Sequence, residues 1–138
     1  MSVTIALTDD LEACLALRRT VFMVEQNVSK ADEIDGLDPE CLHLLAVDGD
    51  TPVGTARILI ADDLAKIGRV CVVKSHRGTG LGAALIRAAL EAARGNASTA
   101  KLGAQTHALG FYEKLGFSAV GPVYDDAGIP HRDMVHSL

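Results

Sequence analysis

The segment that most limits what this chain can fold into is Arg77-Gly78-Thr79-Gly80-Leu81-Gly82, three glycines in five residues set between an apolar, β-branched run and an alanine-rich stretch. Val70 to Val73 is uninterrupted and apolar, as a central strand requires. From Leu81 to Arg94 the residues are mainly Ala, Leu, Ile, Glu and Arg, good helix formers, and Gly95 with Asn96 supplies a stop. A strand feeding a helix through glycines leaves the helix's first N–H groups unpaired at its positive end, where an anion can approach the backbone closely. Arg77 adds a permanent cation with forked donors for phosphate. The turn therefore reads as a phosphate cradle, or else as a turn that only permits tight strand-to-helix packing.

Spacing narrows the phosphate classes. The segment lacks the G-x-x-x-x-G-K-[ST] order of a nucleoside triphosphate loop. Gly78, Gly80 and Ala83 formally satisfy G-x-G-x-x-[GA], but a dinucleotide fold needs an acidic ribose partner about 20 residues on. No Asp or Glu lies between Glu91 and Glu113. The net charge of −5, from 13 Lys and Arg against 18 Asp and Glu, has the wrong sign for a protein held to nucleic acid by phosphate neutralisation. No apolar stretch approaches the roughly 20 residues that cross a bilayer, and the first residues lack a basic and apolar leader. Cys14, Cys41 and Cys71 are odd in number and form no C-x-x-C pair, which disfavours zinc and structural disulfides. A cytoplasmic protein without a metal, a nucleic-acid partner or a membrane partner is expected.

At 138 residues the chain suits one domain, 1–138. Val3 to Leu7 alternates as a strand, and Asp9 with Glu12 resembles a capping box for a helix running to about Phe22. Glu25 to Glu40 reads as an acidic loop, either a solvated surface or an attractor for a cationic amine. Leu42 to Val47 and Val53 to Ile60 form a predicted hairpin, followed by a strand at Ala65 to Val73. After the alanine-rich helix come a strand near Thr99 to Ala104, a helix near Ala108 to Leu115 and a strand from Phe117 to about Tyr124. A turn at Asp125 to Gly128 then returns the chain toward Arg132 to His136. The expected fold is α/β, a mixed sheet with helices on its faces.

Two segments together resemble a known family. An apolar strand followed by [QR]-x-x-G-x-[GA], here Val72 through Arg77 to Gly82, is similar to the pyrophosphate-binding motif of the GNAT acetyltransferases. Thirty residues on, Phe111, Tyr112, Glu113, Lys114, Leu115, Gly116 and Phe117 resemble the family's F-Y-x-x-L-G-F segment. Val21 to Asn27, Glu33 to Gly36, Gly103 to His107 and Gly128 to His131 look like the ElaA-like subgroup.

The resemblance implies a mostly antiparallel sheet whose central strands splay to admit acetyl-CoA as co-substrate, and a possible homodimer. It places the pantetheine arm along Val70, Cys71 and Val72. The pyrophosphate falls on the amides near Gly78, Thr79, Gly80, Leu81 and Gly82, beside Arg77. The Val72 N–H would stabilise the thioester oxygen. Tyr112 would protonate the departing thiolate, unless it is only a packed aromatic. Gln105 stands where relatives often place an asparagine touching the pantetheine arm. The implied reaction is direct transfer of an acetyl group to a primary amine; the alternative is a non-catalytic acyl-CoA-binding module.

A general base is not evident. Many relatives carry a glutamate on the central strand, whereas Lys66-Ile67-Gly68-Arg69 has no carboxylate. Candidates elsewhere are Glu25, Glu33, His43 and His107, with His131 a further loop histidine. Arg57 and Arg69 on predicted strands need acidic partners, which the acidic loop can supply, or else orient a substrate carboxylate. Cys71 beside the thioester reads as a small buried hydrophobe rather than a nucleophile.

Overall fold

A computed structural model describes residues 3–138. Strand β1 (Val3–Leu7) leads into helix α1 (Leu11–Arg18), whose first turn is capped by Asp10, its carboxylate accepting from the Ala13 N–H at 3.1 Å. The cap is thus one residue later than the Asp9 box. The helix continues as a widened π-helical turn, Arg19–Glu25. The acidic segment that follows is more ordered than a loop. It holds helix α2 (Lys30–Glu33), capped by Ser29, and a 3₁₀ turn at Asp38–Glu40.

Three antiparallel strands come next: β2 (Leu42–Asp48), β3 (Thr51–Ala61) and β4 (Leu64–Val72). Helix α3 (Leu81–Ala93) crosses to β5 (Thr99–Gln105), and helix α4 (Leu109–Glu113) precedes the hairpin of β6 (Ser118–Asp126) and β7 (Ile129–Ser137). The strand order is β1-β2-β3-β4-β5-β7-β6, so the last strand inserts between β5 and β6. Every pairing is antiparallel except β4 with β5, where α3 forms the crossover a parallel pair needs.

One face of α3, Leu81, Leu85, Ile86, Ala89, Leu90 and Ala93, is buried against Ala56, Ile58, Ala65, Ile67, Leu102 and Met134 of the sheet. Alanines at that contact bring the helix close to the strands. At Gly54 a Cβ would stand 2.9 Å from Leu85 Cδ1 and 3.2 Å from the Cys71 carbonyl oxygen, so the approach requires glycine. On the opposite face Leu17 of α1 and Val21 of the π-helical turn pack onto Cys71.

The feature that matters for function lies between β4 and β5. Their parallel pairing covers only Leu64 with Thr99, Ala65 with Ala100 and Lys66 with Lys101. Beyond Lys66 the two strands part. The divergence coincides with a bulge in β4: Thr55 and Arg57 of β3 face Cys71 and Gly68, so two steps on β3 span three on β4. Arg69 occupies the bulge with φ +50°. A side chain there is strained. It is held in place by its guanidinium, whose Nε and Nη2 donate to the Glu33 carbonyl oxygen at 3.2 and 3.1 Å.

Candidate active site in the splayed sheet

Where β4 and β5 separate, a cavity of about 670 Å³ opens. Its floor is β4 and β5, one wall is the π-helical turn with the acidic segment, and the other is the β6–β7 hairpin. Val70, Cys71, Val72, Arg77, Gln105 and Tyr112 all line it. Gly78, Thr79 and Gly80 form an exposed lip beyond it.

The lip follows from local rules. Gly78 and Gly80 have φ of +78° and +88°, with open space where a Cβ would be, so backbone conformation and not crowding demands glycine there. The Thr79 hydroxyl donates to the His76 carbonyl oxygen at 2.6 Å, fixing the turn. Among the described residues no side chain caps α3. Leu81 turns its side chain into the core, 6% exposed, so only its backbone can serve a ligand. The result is an uncapped helix start facing solvent beside the cavity, the geometry that accepts a diphosphate.

Along β4 the hydrogen-bond phase sets what faces the gap. The Val73 N–H donates to the Val53 carbonyl oxygen at 2.9 Å, so in an extended strand the Val72 N–H points the other way, toward the departed β5. The Val72 carbonyl oxygen accepts from Arg77 Nε at 2.9 Å. Arg77 Nη2 meets Glu25 at 2.5 Å. The arginine expected at the phosphates is thus folded back across the lip and paired with one of the candidate bases.

Gln105 is engaged too. Its side-chain nitrogen donates to the Gln26 side-chain oxygen at 3.1 Å, across from β5 to the end of the π-helical turn. Its own oxygen lies 2.7 Å from His107 Nε2. The adjacent residues Glu25 and Gln26 therefore tie that turn to both lips of the cleft.

Tyr112 is half-buried between Phe111 and Phe117, ring centroids 5.0 and 5.9 Å away in edge-to-face contacts. Burial alone raises its phenol above the ordinary value. Cys71 is 4% exposed and burial pushes its thiol up to about 12, which leaves the neutral, poorly nucleophilic form at physiological pH.

The candidate bases separate by position. Glu33 lines the cavity but is 3% exposed and lies 2.6 Å from Arg18 Nε, an internal ion pair. His43 is buried on β2, with Nε2 2.8 Å from the Asp38 carbonyl oxygen, and does not line the cavity. His107 is exposed and also lies outside the lining. His131 does line it.

The acidic segment is neither simply solvated nor a free attractor of cations. Asp35 binds Arg57 through two hydrogen bonds, 3.0 and 2.7 Å, and Asp38 lies between Arg18 at 2.7 Å and Arg57 at 3.1 Å. Hydrogen bonds from Arg57 hold Asp35 well below the usual carboxylate range. Burial acts to raise Asp38, but hydrogen bonds from Arg18 and Arg57 outweigh it and hold that carboxyl low as well. The partners anticipated for Arg57 and Arg69 are present. Arg18, 1% exposed, is a third arginine in the cluster and one that no sequence motif marks; its place among the buried residues Cys14, Leu17 and Val21 is the available signal. Gln26, Tyr124 and Asp133 were also missed, since nothing local sets them apart.

The family model for the acetyltransferase (GNAT) domain matches residues 12–138. The chain belongs to the GNAT acetyltransferase family. Acyl transfer from acetyl-CoA is therefore its reaction class. Relatives include the uncharacterized N-acetyltransferase YjcF of Bacillus subtilis, 41% identical over 92% of each chain. Protein ElaA of Escherichia coli is 40% identical over 93% of this chain and 88% of its own. The crystal structure of that ElaA superposes with a TM-score of 0.85, covering 99% of each chain. An acyl-CoA N-acyltransferase from Pseudomonas aeruginosa gives 0.87 at 33% identity, covering 98% of this chain and 99% of that one. These likenesses agree with the GNAT fold and the ElaA-like grouping expected from the two motifs and the local strings.

Proposed function

We propose that the protein moves an acetyl group directly from acetyl-CoA to a primary amine, with both substrates bound in the cleft at once. The observation that carries this reading is the parting of β4 and β5 beside an uncapped helix start, with the Val72 N–H and Tyr112 on the same cavity. The backbone amides from Gly78 to Gly82, at the exposed lip and the uncapped start of α3, receive the diphosphate. The freed edges of β4 and β5 offer amide partners to the pantetheine arm. The Val72 N–H meets the thioester oxygen as negative charge builds on it, a contact worth about 3 kcal/mol when preorganised.

Tyr112 supplies the proton for the leaving thiolate; a phenol of ordinary pKa about 10 is protonated at neutral pH, and burial favours that form further. Cys71, held neutral, takes no part as a nucleophile. The acceptor enters on the side walled by the β6–β7 hairpin, where the cavity continues past His131 and Asp126.

A second reading, an acyl-CoA-binding module without turnover, is favoured by one fact: Glu25 and Glu33 are both committed to arginines. Incubation with acetyl-CoA and a panel of amines, followed by free-thiol detection, separates the two. Amine-dependent thiol release is expected. CoA binding without thiol release across the panel from neutral to alkaline pH would leave the module.

A further inference from the structure

Resting on the amine-acetylation reading, we propose that His131 Nε2 is the general base that removes a proton from the acceptor ammonium. His131 is half-buried near the start of β7 and lines the cleft. Its Nδ1 lies 2.7 Å from the Ile129 carbonyl oxygen. A carbonyl oxygen only accepts, so Nδ1 carries the hydrogen and the lone pair of the neutral ring resides on Nε2. Among the described residues no protein group takes that Nε2.

The ring is held as a base must be. It stacks on Tyr124, centroids 6.0 Å apart and planes 22° from parallel. Tyr124 is fixed in turn: its hydroxyl donates to Asp133 Oδ1 at 2.8 Å, and Asp133 Oδ2 lies 3.4 Å from Lys101 Nζ. The Tyr124 hydroxyl lies over Gly103 of β5, on ground a Cβ would occupy, so only glycine admits this arrangement. His131 also pairs in register with Gln105, at the open end of β5 where the strand has left β4. The base is thus built on the sheet, with its ring orientation set by Ile129 on one side and Tyr124 on the other.

The other acidic groups on the cavity are less suited. Glu25, Glu33, Asp35 and Asp133 each face a cation, and Asp32 accepts the Ser29 hydroxyl. Asp126 remains as the competing candidate, on the exposed end of β6.

Nε2 takes one proton from the ammonium, and the nitrogen lone pair forms the C–N bond to the acetyl carbon. The C–S bond breaks with its electron pair going to sulfur, which takes the Tyr112 proton. The nitrogen loses a second proton, Tyr112 is reprotonated and the imidazolium releases its own, so amide, free thiol and one net proton result.

The test uses the full chain, acetyl-CoA and a panel containing lysine-like amines of pKa about 10.4 and α-amines of pKa about 8. The variants H131N, H131A and D126N are compared with the parent in turnover, in thermal melting and in acetyl-CoA affinity by calorimetry. H131N is expected to lose about a hundredfold in kcat with a lysine-like amine while binding acetyl-CoA normally. The loss should shrink with the α-amine, a larger share of which is already neutral, and added imidazole should restore part of the activity of H131A. A merely structural role would produce neither the dependence on amine basicity nor the rescue. Turnover of the parent with H131N undiminished, or a collapse in D126N instead, overturns the proposal while leaving amine acetylation intact. No amine-dependent turnover by a parent that binds acetyl-CoA overturns amine acetylation, and this base with it.

Discussion

Arg77 reaches back from the glycine turn to lie 2.5 Å from Glu25, so the arginine beside the proposed diphosphate site is already paired with a carboxylate of the π-helical turn. A diphosphate arriving at the turn competes with Glu25 for the same guanidinium. Both side chains are substantially exposed, and such a pair contributes at most about 1 kcal/mol. Glu25→Gln should therefore tighten CoA binding, by about fivefold at most on that figure. Isothermal calorimetry measures it; weaker binding would mean that Glu25 helps to build the site.

Replacing Gly80 probes the turn itself. Its φ of +88° with nothing nearby predicts that Gly80→Ala costs about 1–2 kcal/mol of stability through backbone strain alone. If the turn relaxes to relieve that strain, an amide-to-phosphate hydrogen bond is lost as well, about 1.5–3 kcal/mol of CoA affinity. Thermal melting and calorimetry on the same preparation read both effects. An unchanged affinity with no loss of melting temperature, the sign of a turn that has relaxed, would detach the turn from the ligand.

Tyr112→Phe keeps the ring between Phe111 and Phe117 and removes only the proton donor. Turnover should fall by about a hundredfold with acetyl-CoA affinity unaltered. Steady-state kinetics with a chemistry-limited acceptor decides; an unchanged kcat would reduce Tyr112 to packing.

The arginine and carboxylate cluster predicts an acid limit to stability. Asp35 and Asp38 are held below the unfolded value of about 4, so the folded state binds their protons more weakly than the unfolded chain does. Their contribution is fully present above about pH 4 and is lost as pH falls through the lower folded values. Asp38→Asn leaves Arg18 and Arg57 short of a charge in a buried place, a cost of about 3–5 kcal/mol near neutrality. Melting temperatures from neutral to strongly acidic pH should fall less steeply in the variant than in the parent. Parallel curves would contradict the assignment.

The elements were legible from residues in proportion to how local their causes are. The helix from Leu81 and the turn before it follow from alanines, glycines and a stop at Gly95, and the structure has them in place. The hairpin of β2 and β3 follows from apolar runs around Gly49 and Pro52. The insertion of β7 between β5 and β6 is a long-range pairing with no local signature. The parting of β4 from β5 reached the sequence reading only through family resemblance, because no periodicity marks a bulge at Arg69. In the acidic segment, charge alone suggested solvent; the structure buries Glu33 and Asp38 because three arginines from α1, β3 and β4 converge on them. Convergence of that kind appears only once the strands are set side by side.

The central claim, that the uncapped helix start and the parted strands together receive CoA, is tested most directly by calorimetric titration with CoA and, separately, with pantetheine, which lacks the diphosphate. CoA should bind with micromolar affinity and pantetheine far more weakly. Absence of heat from CoA at millimolar concentration, or equal binding of the two ligands, would contradict it.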